Sequence, residues 1–222
     1  MKEFIIRLAT KEDLNHADAI CAEMESSARI RGTGIAKRTP EYIQQKMLEG
    51  KSVIAFSSNN QWAGFCYIET WQSGEYVANS GLIVAPQFRK EGVAKMIKEK
   101  IFDLSRAKYP NAKIFGLTTG LAVMKINSEL GYEPVTYSEL TNDAAFWSSC
   151  RSCVNYSILT SKDFKNCLCT AMLYEQNKMQ NRKSHTMKRT KLNREKSGVI
   201  KVLTRLTKLK KSAILKIKTT LL

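Results

Sequence analysis

The chain has 222 residues, 43% of them hydrophobic, and a formal net charge of +16. That length suits one domain with an appendage, and no run of residues approaches the roughly 18 consecutive apolar positions that a bilayer-spanning helix requires. The charge is unevenly placed. Residues 176–222 carry 15 of the 36 Lys and Arg but only one acidic residue, Glu195, whereas residues 1–175 are close to neutral and hold every aromatic and all six cysteines. The basicity therefore belongs to the tail and is no nucleic-acid signature of the near-neutral body, and only the body can bury a core.

Phe4 to Leu8 reads as a first strand; the apolar run is short and broken by Arg7, so no secretory leader is expected. A cytosolic chain is expected, with cysteines as thiols or metal ligands rather than disulfides. Thr10, Asp13 and apolar residues at Leu14, Ala17, Ile20 and Met24 predict a capped helix. A basic, glycine-containing loop over residues 29–39 follows. Pro40 then opens a second helix with Ile43, Met47 and Leu48 on one face.

Val53 to Phe56, Trp62 to Trp71 and Tyr76 to Val84 predict three strands in a meander, with Gly64 marking a bulge. Val93, Ile97, Ile101 and Leu104 line one face of a third helix, which ends at Tyr109-Pro110. Another strand follows at Ile114 to Leu117, then a helix over Leu121 to Leu130 stopped by Gly131, then a last strand region from Val135. Helices, an antiparallel meander and a strand–helix–strand unit make an α+β fold with a mixed, mostly antiparallel central sheet flanked by helices.

The segment between the third strand and the third helix carries the chemistry. It reads Val84-Ala85-Pro86-Gln87-Phe88-Arg89-Lys90-Glu91-Gly92-Val93-Ala94. A strand feeding a glycine-containing turn and then a helix offers unpaired N–H groups and a partial positive charge to a phosphate. Gly92 lets backbone approach a bulky anion, and Ala94 keeps the first helical turn slim.

The spacing Arg89-x-x-Gly92-x-Ala94, with Asn127-Ser128-Glu129-Leu130-Gly131-Tyr132 further on, resembles the acyl-CoA signature and the helix-ending element of the GCN5-related N-acetyltransferases. The resemblance covers residues 3–140. It implies acetyl-CoA or another acyl-CoA as co-substrate, its pyrophosphate held by Arg89, Lys90, Glu91, Gly92, Val93 and Ala94. It also implies a splay between the strands 76–84 and 113–118, with an oxyanion donor from backbone near Ile83 or Val84.

Acyl transfer to an amine needs a neutral amine, a stabilised carbonyl oxygen and a protonated leaving thiolate. The family's usual tyrosine acid falls at Asn127, whose amide can hydrogen-bond pantetheine but cannot supply the proton; Ser128, Tyr132 or water remain, and Tyr132 reads better as core. Glu69 and Glu75, flanking the hairpin, are the candidate bases. The strand ending in Leu117-Thr118-Thr119 resembles the glutamate-type amino-acid N-acetyltransferases of arginine biosynthesis. That likeness implies a small amino-acid substrate bound by Thr118 and Thr119 together with Lys37 and Arg38, since arginine matches a carboxylate bidentately. Acetyl and succinyl donors stay open.

Cys150-x2-Cys153 and Cys167-x-Cys169 lie in residues 141–175, expected as a Cys-rich extension packed on the domain. Four thiolates can hold a tetrahedral Zn2+; an iron–sulfur cluster, a redox switch and a plain cluster of buried thiols are the other readings. From Gln176 the chain reads as a basic linker. After Gly198, a basic amphipathic tail would suit an anionic surface, RNA or an acidic protein. The first reading of function is an acyl-CoA-dependent N-acyltransferase acting on a small-molecule amine. The alternatives are a protein or peptide N-acetyltransferase and a non-catalytic CoA-binding interaction module.

Overall fold

The computed structural model describes residues 3–32 and 36–176. Strands β1 (Phe4–Leu8), β2 (Ser52–Ser57), β3 (Trp62–Trp71), β4 (Tyr76–Val84), β5 (Lys113–Thr118), β6 (Glu133–Val135) and β7 (Thr170–Tyr174) form one sheet in the order β1-β2-β3-β4-β5-β7-β6. Every neighbouring pair is antiparallel except β4–β5.

Helices α1 (Ala17–Arg31) and α2 (Pro40–Leu48) cover one face. Ile20, Met24, Ile43 and Met47 pack there on Ile54, Phe65, Tyr67 and Ile83. Thr10, the expected cap, forms a capping box with Asp13, but it caps a 3-10 turn over Lys11–His16, and α1 itself starts at Ala17. Pro40 sits in the first turn of α2, and Thr39 Oγ1 accepts from the Tyr42 N–H at 3.3 Å. Helices α3 (Val93–Lys108) and α4 (Leu121–Glu129) cover the opposite face, with Val93, Ile97 and Ile101 buried as their spacing predicts.

Two irregularities in β3–β4 shape the centre of the sheet. The register slips beside Gly64, where a Cβ would stand 2.7 Å from the Ile83 carbonyl oxygen, so only glycine fits. It slips again between Phe65 and Tyr67, opposite Gly81, which has φ +64°. Such bulges bend a strand and re-aim its edge. The consequence appears at β4–β5: the two strands pair only over Tyr76–Ala78 and Lys113–Phe115, then separate.

Antiparallel neighbours are usually joined by short loops, yet β6 and β7 are linked by residues 136–169. This excursion contains α5 (Ala144–Ser148) and α6 (Tyr156–Ser161) and returns to place β7 between β5 and β6. The segment expected as an extension packed on the domain thus supplies an interior strand, and the boundary expected at residues 140/141 falls within a single sheet. Burial explains why: Ala171, Met172, Leu173 and Tyr174 are all buried, as an interior strand requires. Residues 1–175 form one compact unit. The basic linker and amphipathic tail expected over 176–222 lie, beyond Gln176, outside the described residues.

Candidate active site

The separation of β4 from β5 opens a fork. A cavity of about 230 Å³ runs through it, lined by Ala78 to Leu82 on one prong and by Phe115 to Gly120 on the other. Its walls therefore include strand backbone that has no partner across the gap, which suits an extended, amide-bearing ligand. Ile83 and Val84 lie further along the same prong, beyond the cavity and toward the turn that leads to α3. The cavity's own backbone is at residues 78–82, upstream of the expected oxyanion position.

In that turn Lys90 and Gly92 both have left-handed backbone, φ +65° and +85°, and Gly92 caps α3. Nothing lies within 4 Å of a Cβ built on Gly92, so its outer side is open. Residues 89–92 are exposed, and Val93 and Ala94 start the helix. Arg89 differs from expectation. Its Nη2 donates to Glu23 Oε1 at 2.6 Å and Ser27 Oγ at 2.8 Å, and its Nε to the Val84 carbonyl at 3.2 Å. The guanidinium ties the turn to α1, which leaves the helix N–H groups as the natural anion donors.

On the α1/α2 side the cavity meets charge. Arg31, at the end of α1, and Arg38, before α2, both line it. Arg38 Nε donates to Tyr67 Oη at 2.8 Å and stacks on the Tyr42 ring. Lys37 does not join it; that side chain is exposed and pairs with Glu25 at 3.0 Å. Thr118 and Thr119 do line the cavity, and Thr118 Oγ1 accepts from the Gly120 N–H at 3.0 Å. Phe146, Ser149 and Cys150, from the 136–169 excursion, close this side.

The candidate bases part company. Glu69 follows Tyr67 on the same face of β3 and pairs across to Ala78, a cavity residue. Burial lifts its carboxyl to about 7, opposed by the charge of Arg38. Its Oε2 accepts from Lys46 Nζ at 3.1 Å, while Oε1 is buried with no hydrogen-bond partner. The same burial lowers Lys46. Glu75 is exposed at the closed end of the fork, one residue before β4 begins, and stays apart from the cavity.

On the α3/α4 side the cavity meets a buried polar cluster. Asn127 is 1% exposed; its Nδ2 makes only a 3.7 Å contact to Met172 Sδ and its Oδ1 has no partner. Ser128, one helical step on, is rotated to solvent and cannot reach the fork. Tyr132 is core, 2% exposed, and donates to Asn79 Oδ1 at 3.0 Å. Asn79 Nδ2 donates to Ser105 Oγ at 2.7 Å. Lys98 of α3 completes the group: it is 2% exposed and lines the cavity, with Asn79 Oδ1 at 3.4 Å and the Tyr132 ring 5.2 Å away. Burial pushes this ammonium down to about 8, opposed by Cys66. Sequence reading missed Lys98, Asn79 and Arg31. A signal existed for the lysine, since Lys98, Ile101, Phe102 and Ser105 form one i, i+3, i+4, i+7 stripe, and all four are buried.

Cys150, Cys153, Cys167 and Cys169 do converge. All four line a cavity of about 80 Å³ next to the fork, with Leu117, Tyr137 and Trp147. The expected metal centre is not formed: among the described residues no three His, Cys, Asp or Glu side chains are grouped to hold an ion. The physical reason is an apolar wall. The cavity is walled by Leu117, Tyr137, Trp147 and Leu159, and burial first, with the neighbouring cysteines second, pushes the Cys150 thiol up to about 11 and the Cys169 thiol up to about 12, which favours the protonated form of these two. All six cysteines are free, and no described helix is long and apolar enough to cross a membrane.

No family model matches this sequence, and a search of curated proteins finds no match. Solved structures do match. N-acetylglutamate synthase from Neisseria gonorrhoeae, complexed with coenzyme A and N-acetyl-glutamate, superposes with a TM-score of 0.55 at 17% identity, over 78% of this chain and 35% of that one. This chain thus spans about a third of that enzyme. A Mycobacterium tuberculosis protein in complex with CoA gives a TM-score of 0.54 at 15% identity, over 77% of this chain and 98% of the other. YncA from Salmonella typhimurium, solved with its cofactor acetyl-CoA, gives 0.52 at 16%, over 78% and 94%.

Proposed function

We propose that this chain, which has the fold of the GCN5-related N-acetyltransferases, is an acyl-CoA-dependent N-acyltransferase for a small amine that carries a carboxylate. The observation that carries this reading is the fork itself. One cavity joins strand backbone freed by the β4–β5 separation to two guanidiniums, Arg31 and Arg38. The open turn at Gly92 lies at the far end of β4. An acyl-CoA would place its pyrophosphate on the N–H groups of residues 91–94 and its pantetheine amides along residues 79–84. Asn127 Oδ1, a buried acceptor with no partner, awaits an N–H donor.

The acceptor amine would enter from the α1/α2 side, its carboxylate held by Arg38 and Arg31 and by the Thr118–Thr119 turn. Glu69 would take the amine proton, directly or through water. It is the buried carboxylate beside the cavity whose ionisation lies near neutrality, where a general base works best. The excursion over residues 136–169 walls this entrance with Phe146 and Ser149 and is tied to the loop before α2 by the Lys37 N–H to Ser152 Oγ bond at 3.0 Å. A walled entrance favours a free amino acid over a protein surface. Glutamate, acetylated or succinylated, fits the charge of the two arginines. The test is CoA release by purified protein with acetyl-CoA and succinyl-CoA against a panel of free amino acids and peptides. Saturable release with an acidic amino acid is expected; release only with peptides would replace this substrate class, and none with any amine would remove the enzyme reading.

A further inference from the structure

We infer that Lys98 supplies the proton taken up by the departing CoA thiolate, acting from the α3 side of the fork. The inference rests on the acyltransferase reading and fills the role that Asn127 leaves vacant. Four groups with an ionisable or dissociable proton surround this side: Lys98 from α3, Cys66 from β3, Tyr132 after α4, and Tyr174 from β7, which packs on Tyr132. Cys66 Sγ is engaged with the Ser80 carbonyl at 3.2 Å, and Tyr132 Oη with Asn79.

Burial decides between them. A buried phenol or thiol that gives up a proton leaves an anion in an apolar setting, which burial opposes; a buried ammonium that gives up a proton becomes neutral, which burial favours. Lys98 lines the fork cavity, and among the described residues no carboxylate lies within ion-pair distance of it. A buried cation without an ionic partner is costly to keep. Its one hydrogen-bond acceptor among the described residues, Asn79 Oδ1, also takes the Tyr132 hydroxyl, so the long 3.4 Å contact leaves the ammonium's other protons for the cavity.

The step balances. The acceptor amine nitrogen forms a bond to the thioester carbonyl carbon and gives its proton to Glu69 or water. The carbon–sulfur bond breaks with its electron pair on sulfur, and the sulfur takes a proton from Lys98 Nζ. The product is CoA thiol, and Lys98 is left as a neutral amine, reprotonated from water once CoA leaves.

Wild type and Lys98→Met, which keeps the volume and removes the charge, are compared with acetyl-CoA and with S-(4-nitrophenyl) thioacetate, whose aryl thiolate leaves without a proton. For wild type with acetyl-CoA, kcat should fall above about pH 8. Lys98→Met should lower kcat on the order of 100-fold and lose that alkaline limb, yet stay within about threefold of wild type on the aryl thioester. Equal loss with both donors, or no loss with either, overturns the inference, as does an acyl adduct on the Lys98 peptide. If the variant fails to bind acetyl-CoA by calorimetry, the wild-type profile decides: a flat kcat up to pH 10 overturns it. No turnover by wild type with any amine removes the underlying acyltransferase reading, and the inference with it.

Discussion

The two sides of the fork are built on opposite electrostatic plans. The α1/α2 side is rich in charge, with Arg31, Arg38 and the Lys46–Glu69 pair. The α3/α4 side holds one ammonium, Lys98, among an amide, a phenol and a thiol. The same cause acts on both. Burial raises Glu69 to about 7 and lowers Lys98 to about 8. Removal from water brings the two groups toward neutrality from opposite ends, and the strands of the fork keep acid and base from quenching each other. In this reading the base works ionised, above about pH 7, and the acid works protonated, below about pH 8, so turnover should peak between them.

The largest expected effect breaks the charged side. Glu69→Gln keeps the shape and removes the base, so kcat should fall on the order of 100-fold or more. The acidic limb of the rate profile near pH 7 should vanish while the alkaline limb survives. If both limbs disappear together, the two sides do not act independently and the comparison fails. Folding follows the same signs. Glu69, raised above its unfolded value, contributes stability that is present below about pH 4.5 and lost as pH rises through about 7. Lys98, lowered, contributes stability present above about pH 10.5 and lost as pH falls through about 8.

A second change probes the turn that both sides share. Gly92→Asp puts a carboxylate where N–H groups would meet pyrophosphate and forces a non-glycine residue to φ +85°. No protein atom blocks the new side chain, so the fold should survive. Acetyl-CoA should bind on the order of 30-fold more weakly, from one or two lost charge-assisted bonds. Calorimetry measures it directly; unchanged affinity would move the phosphate elsewhere.

A smaller effect sharpens the amine end. Arg38→Met should raise KM for the carboxylate-bearing amine roughly 10-fold, the worth of one charged hydrogen bond, and leave KM for acetyl-CoA alone. Part of the change would come through Tyr67, which loses its partner. An equal rise in both KM values would mean that Arg38 shapes the whole fork rather than the amine pocket.

How much of this was legible in the sequence depended on whether a signal is local. The strand–turn–helix at residues 84–94 is contiguous, so its order could be read from the sequence; the left-handed backbone of Gly92 came from the structure. The meander and both helix pairs followed from periodicity. The amine end is different. Arg31, Arg38, Tyr67, Phe115 and Phe146 come from five separate segments, and no spacing rule joins them. The resemblance to the glutamate-type enzymes points to Lys37 and Arg38 together as the basic position before the second helix, but adjacent residues point apart, and Lys37 pairs with Glu25. Ser128 failed for the same reason beside the buried Asn127. β7 was missed because Thr170–Tyr174 is short and follows a Cys-rich stretch that drew attention to metal chemistry instead.

The smallest effect lies in the wall beside the amine end. Cys150 borders both the fork and the thiol-lined cavity, and it is a neutral thiol held among Tyr137, Trp147 and Leu159. Cys150→Ala removes one sulfur from a partly buried site. It should cost about 1 kcal/mol and lower Tm by only about 2–4 °C in a chain of this size. Kinetic constants should barely move, because Cys150 supplies packing rather than a proton or a charge. The comparison is sharpened by treating the wild type with a strong chelator. If the four thiols pack as apolar side chains, the wild-type melt stays where it was and the variant's loss stays near that of one deleted atom. A drop of several kcal/mol in the variant, reproduced by chelator in the wild type, would show that residues 150–169 are fixed by a metal after all. The apolar account of that wall would then be wrong, while the chemistry assigned to Lys98 and Glu69 across the fork would stand untouched.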